Sequence, residues 1–498
     1  MASGSATSRA EVTPPAQWVE EWRARTRSVP TPLNRLVVPI LATLLRIASP
    51  PTATVSYLLI AGYAFAGRSQ AIVALFLCCI FNLTNHTLGG VPQAAALLRY
   101  LVYFCCLVAV LTAGRSPRAT RQGWILIPYT VLICLLIMAH SVAVSPLLDV
   151  SLLKIISFTI VVLTIFTGWS WMDAGERQFA EKIIFGGLMV AAVTSIPIIP
   201  LGMGYMKNPG LFQGVMVHPQ NFGPIMAVLS AYVGMQCLTM RPLPKWRIGM
   251  LLVGLLMVYL SRSRVALMSF IASMTFGLIA EACRGLMANF RKSPKVVASR
   301  VGLATALLAL LLIVNWERVT NFYEDFIQKG NEGVTNVTEA YQQARGFLIE
   351  RLLENIAAHP YSGIGFGVNS SEDEWNGIAR DPIFGLPIMF TVEKGVMPLA
   401  VIEELGYPLA ILVFGWIFML GARSTRGGIV PFTVFMAVLL INLTESVLFS
   451  PGGMGMLVLL LVGWSATAPI GGPWLRPLPL PAPVRMEPSG RPASREAA

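Results

Sequence analysis

Charge is what this chain has least of. Asp, Glu, Lys and Arg make up 12% of its 498 residues, against about a quarter in a soluble globular domain. Only four histidines are present, and no clustering of them suggests a metal centre. The seven cysteines lie almost all in apolar runs and none falls between Asn315 and Lys394, so neither a disulfide framework nor a metal-ligand spacing is expected; they read as small packing residues. The first thirty residues are polar, with Pro, Ser and Arg, and do not have the form of a cleavable signal peptide. No basic domain of the kind that binds nucleic acid is present, and no internal repeat is visible. What is abundant is apolar sequence: 55% hydrophobic residues and a mean hydropathy of +0.66.

That hydropathy comes in runs of about 20 residues, the length that crosses a hydrocarbon core. The fold class expected is an all-α integral membrane protein with about 12–14 transmembrane helices and one large extracytoplasmic loop containing short helices. The organisation expected is a disordered cytoplasmic N-terminus over 1–32, a helical bundle over 33–314 and a large periplasmic loop over 315–395. C-terminal spans over 396–472 and a disordered cytoplasmic tail over 473–498 follow. The first span contains Pro39 and Arg46, which suits an interfacial or re-entrant segment. The basic residues orient the rest. Arg23–Arg27, Arg115–Arg121, Arg241–Arg247, Arg284–Lys295 and Arg423–Arg426 all fall on one side if there are fourteen spans. That side is read as the cytoplasm, with both termini. The net charge of +12 is then chiefly a topology signal.

Four groups of residues suggest chemistry. Ser261-Arg262-Ser263-Arg264 joins two apolar runs with almost no loop. Its two guanidiniums suit a diphosphate by their forked donors, or they snorkel to lipid headgroups. His218-Pro219-Gln220-Asn221-Phe222-Gly223 precedes a span. Pro219 and Asn221 read as a helix start, with Asn221 as the cap; His218 suits phosphate binding or proton transfer. In the polar loop, Gln342–Ala358 reads as an amphipathic helix, with Phe347, Leu348, Leu352, Leu353 and Ile356 on one side and Arg345 and Arg351 off it. His359-Pro360 and the turn Gly363-Ile364-Gly365-Phe366-Gly367 follow, and the amides of such a turn can approach an anion. Last, Glu393 and Lys394 precede a span that carries Glu403 and Glu404, and Glu445 sits in another. Carboxylates inside membrane spans are costly, so these are either functional or paired structurally with an arginine.

In their order and topology these elements resemble the O-antigen ligase/polymerase family of bacterial membrane glycosyltransferases. The resemblance rests on His218–Gly223 (spaced slightly differently from the family element), on Ser263-Arg264-Val265-Ala266, on the stretch from Arg345 through His359-Pro360 to Gly365, and on Glu404-Leu405-Gly406. It covers roughly residues 210–450. It implies an inverting, metal-independent transferase in the bacterial inner membrane that needs no cofactor. Its donor would be a glycan on undecaprenyl diphosphate and its acceptor a glycan or glycolipid, with membrane lipids and no nucleic acid as other partners. It also implies diphosphate contacts from Arg264 and from Arg345 or Arg351, with Arg262 and His218 nearby. The family often has His-Asn about nine residues before the Glu of Glu-Leu-Gly; here Gly395 stands there, after Glu393 and Lys394. Glu393 is the substitute base expected, with His359 the weaker one and Lys394, Glu404 and Glu445 as further candidates. That departure leans towards a polymerase of exopolysaccharide rather than a lipid A ligase. The alternative is a transporter or flippase of a lipid-linked or polar solute.

Overall fold

The computed structural model describes residues 34–90, 95–117, 119, 125–207, 210–240, 243–288, 337–380, 385, 387–389 and 394–469. The helices are α1 (Asn34–Ala48), α2 (Pro50–Ala64), α3 (Arg68–Leu83), α4 (Ala95–Ala113), α5 (Leu126–Val144), α6 (Leu148–Trp171) and α7 (Ala174–Ser195). Then follow α8 (Pro219–Thr239), α9 (Lys245–Leu260), α10 (Arg264–Ala288), α11 (Val337–Ala358), α12 (Met397–Gly427), α13 (Ile429–Asn442) and α14 (Met454–Ala466). A two-stranded antiparallel ribbon pairs β1 (Ala379–Arg380) with β2 (Pro387–Met389).

This is a helical membrane protein. Among the described residues, six helices are long and apolar enough to cross a bilayer: α5, α6, α7 (with the 3-10 turn after it), α8, α10 and α12. α3, the Leu97–Ala113 part of α4, α13 and α14 are shorter apolar helices. Large apolar side chains such as Leu252, Met268, Ile411 and Phe418 point outward, which water would penalise and lipid does not. Inside, Trp169, Trp416 and Trp464 are buried, and Phe185 stacks on Tyr232. Small residues set the close crossings: Gly254 lies against Ser230 and Gly277 against Thr433. Local signals start the helices. Asp173 and Glu176 form a capping box on α7, Ser49 and Thr52 one on α2. Pro39 sits inside α1 without ending it, and Arg46 is buried, donating to the carbonyls of Phe81 and Gly90. That arginine fastens α1 to the end of α3.

Contacts between helix ends fix which termini lie together. At one end, Arg68 pairs with Glu176 and donates to the carbonyls of Ala113 and Gly114, Ser116 bonds Trp171, and Arg177 donates to Trp464 and Thr467. Arg35 lies over Phe179 there. At the other end, Asn85 and Val217 bond Val215 and Leu83, Phe212 bonds Leu260, and the residues after α11 meet the start of α12. Arg115, Lys245, Arg423 and Arg426 belong to the first end, so the first and last described residues share it with the described basic loops. The end of the expected bundle and the start of the expected periplasmic loop, residues 289–336, lie outside the described residues.

Candidate functional site

The second end carries the polar chemistry, and its centre is a break in α12. Gly406 has φ +69° and ψ 166° inside that helix, a conformation open to glycine. Pro408 follows and has no N–H, so the carbonyl of Glu404 cannot be satisfied within the helix. The Gly-rich turn satisfies it instead. Gly365 N–H donates to Glu404 O at 3.1 Å, Ile364 N–H to Glu403 O at 2.8 Å, and Tyr407 N–H to Pro360 O at 2.9 Å. The turn therefore docks on α12 through backbone bonds, and the two carboxylates beside the break are aimed by it.

Glu403 and Glu404 are both buried. Lys394 Nζ lies 2.6 Å from Glu403 Oε2 and 3.2 Å from Glu404 Oε1. Lys154, from the first turns of α6, lies 3.6 Å from Glu404 Oε1, with its ammonium 4.7 Å from the centroid of Phe366. Asn355 of α11 donates to Glu403 Oε1 at 2.7 Å and to Ser370 O at 3.0 Å. Gly367 N–H donates to Glu404 Oε2 at 2.8 Å. Two expectations change here. The acidic pair is held by lysines, not by an arginine: Lys394 just before α12 and Lys154 early in α6 are in reach, while Arg380 pairs with Asp149. The Gly-rich turn presents its amides to the chain's own carbonyls and to Glu404, so they are not open to an external anion.

Beside this quartet is a cavity of about 340 Å³, lined by Lys154, Lys394, Glu404, Arg99, Tyr100 and Ser157, with Phe366 and Phe449 as an apolar floor and Pro387 of the ribbon above. Ser446 and Ser450–Gly452, between α13 and α14, close it. Arg380 of the ribbon reaches Asp149 at 2.6 Å and His140 Nε2 reaches Ser362 O at 2.5 Å. Both bonds tie the segment after α11 to α5 and α6.

The other expected residues are distributed around the same end. His218 is the N-cap of α8: its Nδ1 accepts from Gln220 N–H at 3.1 Å, and Pro219 opens the helix. Asn221 is thus inside the first turn, and the capping role expected for it belongs to His218. The Arg262 and Arg264 turn meets this helix at Gly223, where a Cβ would lie 2.5 Å from Ser261 Oγ and 2.6 Å from Ser263 Cβ. Arg262 holds a positive φ of 48°. The two motifs therefore form one corner, and it does not line the cavity. α11 begins at Val337, earlier than expected; Leu352 and Ile356 are buried, whereas Phe347 and Leu353 are exposed. Arg351 stacks over Phe347 and reaches Ser371 Oγ at 3.5 Å. His359 is exposed at the end of α11, its N–H bonded to Asn355 O. Glu445 neighbours the lining residue Ser446 without lining the cavity. Glu393 and the side chain of Arg345 lie outside the described residues.

Lys154 and Arg99 escaped the sequence reading. Each is a lone cation in an apolar run, and that isolation was the available signal, since a charge at such a site is costly without a partner or water. No family model matches the chain, and no curated protein matches it.

Proposed function

We propose that the protein is a membrane glycosyltransferase of the bacterial inner membrane. It transfers or polymerises glycan from undecaprenyl diphosphate onto an acceptor sugar at the periplasmic face. The observation that carries this reading is the polar cavity at one end of an apolar bundle, with three cationic side chains and Glu404 in its lining and Phe366 and Phe449 beneath. A lipid diphosphate has this shape of demand: a charged headgroup beside an apolar tail. The end holding the described basic loops is the cytoplasmic one, which leaves the cavity and the α11 segment on the periplasmic side.

In this reading the acceptor hydroxyl oxygen attacks the anomeric carbon. The bond from that carbon to the phosphate oxygen breaks, and its electron pair leaves on undecaprenyl diphosphate. Fixed cations lower the barrier by meeting the charge that grows on the leaving group in a partly dry site. The hydroxyl proton passes to a base. Glu404 is poorly suited to that task, since two ammoniums and an amide already engage it. Glu393, next to Lys394 in sequence, takes the role, and Lys154 in the cavity lining meets the diphosphate in place of Arg264, whose corner does not line the cavity.

The test is a transfer assay in proteoliposomes with an undecaprenyl-diphosphate oligosaccharide, comparing wild type with Lys154→Gln and Glu393→Gln. Release of undecaprenyl diphosphate that either change abolishes, in protein that stays folded, supports the reading. No release with any acceptor, together with substrate-dependent movement across the bilayer, overturns it in favour of a transporter.

A further inference from the structure

Among the described residues, the charges around the cavity do not balance evenly. Lys154 and Lys394 face Glu403 and Glu404 at 2.6–3.6 Å, so that quartet is neutral as a group. Arg99 is the remaining ionised residue of the lining, and among the described residues no carboxylate pairs with it. Its guanidinium lies 5.2 Å from the centroid of the Tyr100 ring. Its Nε is enclosed without a hydrogen-bond partner, and its Nη1 lies where a Cβ on Gly452 would come within 2.9 Å. Gly452 leads into Gly453, the N-cap of the 13-residue helix α14, and no side chain caps that helix. In its first turn Gly455 N–H donates back to Gly452 O at 3.2 Å, and it is Ser450–Gly452, just before the helix, that line the cavity. An arginine in an apolar helix is expensive until an anion or water meets it.

We propose that Arg99 and the Ser450–Gly452 segment form a binding site for a phosphate group within the cavity. A guanidinium offers forked donors to phosphate oxygens, and Ser450 in the same lining carries a hydroxyl that can donate to the same group. Two sources share this chemistry: the diphosphate of a prenyl-linked substrate, and the headgroup of a bilayer phospholipid. The proposal rests on the cavity being a ligand site, as above, but not on glycosyl transfer.

The experiment measures binding of farnesyl diphosphate, a short soluble prenyl diphosphate, to purified protein in phosphatidylcholine nanodiscs. Wild type is compared with Arg99→Gln, Arg99→Lys and Gly452→Ala. The last keeps every charge and displaces the guanidinium. Arg99→Gln and Gly452→Ala are expected to weaken binding at least tenfold, with Arg99→Lys between them and wild type. Should Arg99→Gln fail to fold, Gly452→Ala and Arg99→Lys still decide. If a headgroup is the occupant, farnesyl diphosphate binds all variants alike. Wild-type thermal stability then rises with added phosphatidylglycerol while that of Arg99→Gln or Gly452→Ala does not. Equal affinities within twofold and equal lipid responses would overturn the site. Because no turnover is read, a protein that binds but transfers nothing refutes the transferase and keeps the site.

Discussion

Replacing Lys394 with methionine strips Glu403, a fully buried carboxylate, of its ammonium. The two side chains are 2% and 0% exposed and 2.6 Å apart. At an effective dielectric of about 20, two unit charges at that separation attract by about 6 kcal/mol. Desolvation offsets much of that in the intact pair, but not in the variant, where Glu403 keeps Asn355 alone as partner. Breaking a buried pair from one side costs about 3–5 kcal/mol. Restoring neutrality with Glu403→Gln in the Lys394→Met background removes most of this cost, so a double-mutant cycle should give a coupling of about 2 kcal/mol or more. The structure supplies its own control. Arg380 and Asp149 are also 2.6 Å apart, but 50% and 43% exposed, and solvent screening limits such a pair to under about 1 kcal/mol. Both cycles are read from reversible unfolding in detergent micelles. Equal couplings for the two pairs, or a buried coupling under about 0.5 kcal/mol, would refute the assignment of the quartet as a buried, interdependent unit.

Other perturbations probe the surrounding frame. Gly406→Ala places a Cβ against the Tyr361 carbonyl while φ stays at +69°; it should cost about 3 kcal/mol or more and expose the 359–367 turn to limited proteolysis. Gly223→Val separates the His218 helix start from the Ser261–Arg264 turn, and a lowered melting temperature with unchanged secondary structure is the expected readout. Thr130→Val removes the hydroxyl that accepts from Trp416 Nε1–H at 3.0 Å, at a cost of about 0.5–2 kcal/mol. His86, in the α3–α4 connection, is held below the usual 6.5 by burial, with Arg46 and Lys207 adding to it. The folded state therefore binds its proton less well than the unfolded one. Stability from this group is complete above pH 6.5 and falls as pH drops below it. His86→Asn should flatten that acid-side slope of the melting temperature.

The membrane class and most helix positions were legible because hydropathy in 20-residue runs is a direct physical signal. A helix start was legible at Pro219, although the choice between His218 and Asn221 as its cap needed three-dimensional geometry; the Ser49 cap was not read. Glu403 and Glu404 stood out as carboxylates in an apolar run, yet their partners did not. Lys154 is some 250 residues away in sequence, and no local pattern names a partner at that range. The Glu-Leu-Gly-x-Pro run was read as a family-like element when its backbone consequence was more informative. A Gly followed two residues later by Pro frees a carbonyl that some other segment must satisfy, and here that segment is the Gly-rich turn. Arg99 was hidden by the length of the run around it, which reads as a span despite one charge.

The central claim is that ligand chemistry takes place in the Lys154–Lys394–Glu404 cavity. The most direct measurement is an experimental structure of the protein in nanodiscs with a bound prenyl diphosphate. The account predicts phosphate density inside the cavity, within hydrogen-bonding distance of Arg99, with the chain running out between apolar helices. Phosphate density confined to the Arg262–Arg264 corner, or at the middle of the bundle with the cavity empty, would contradict it.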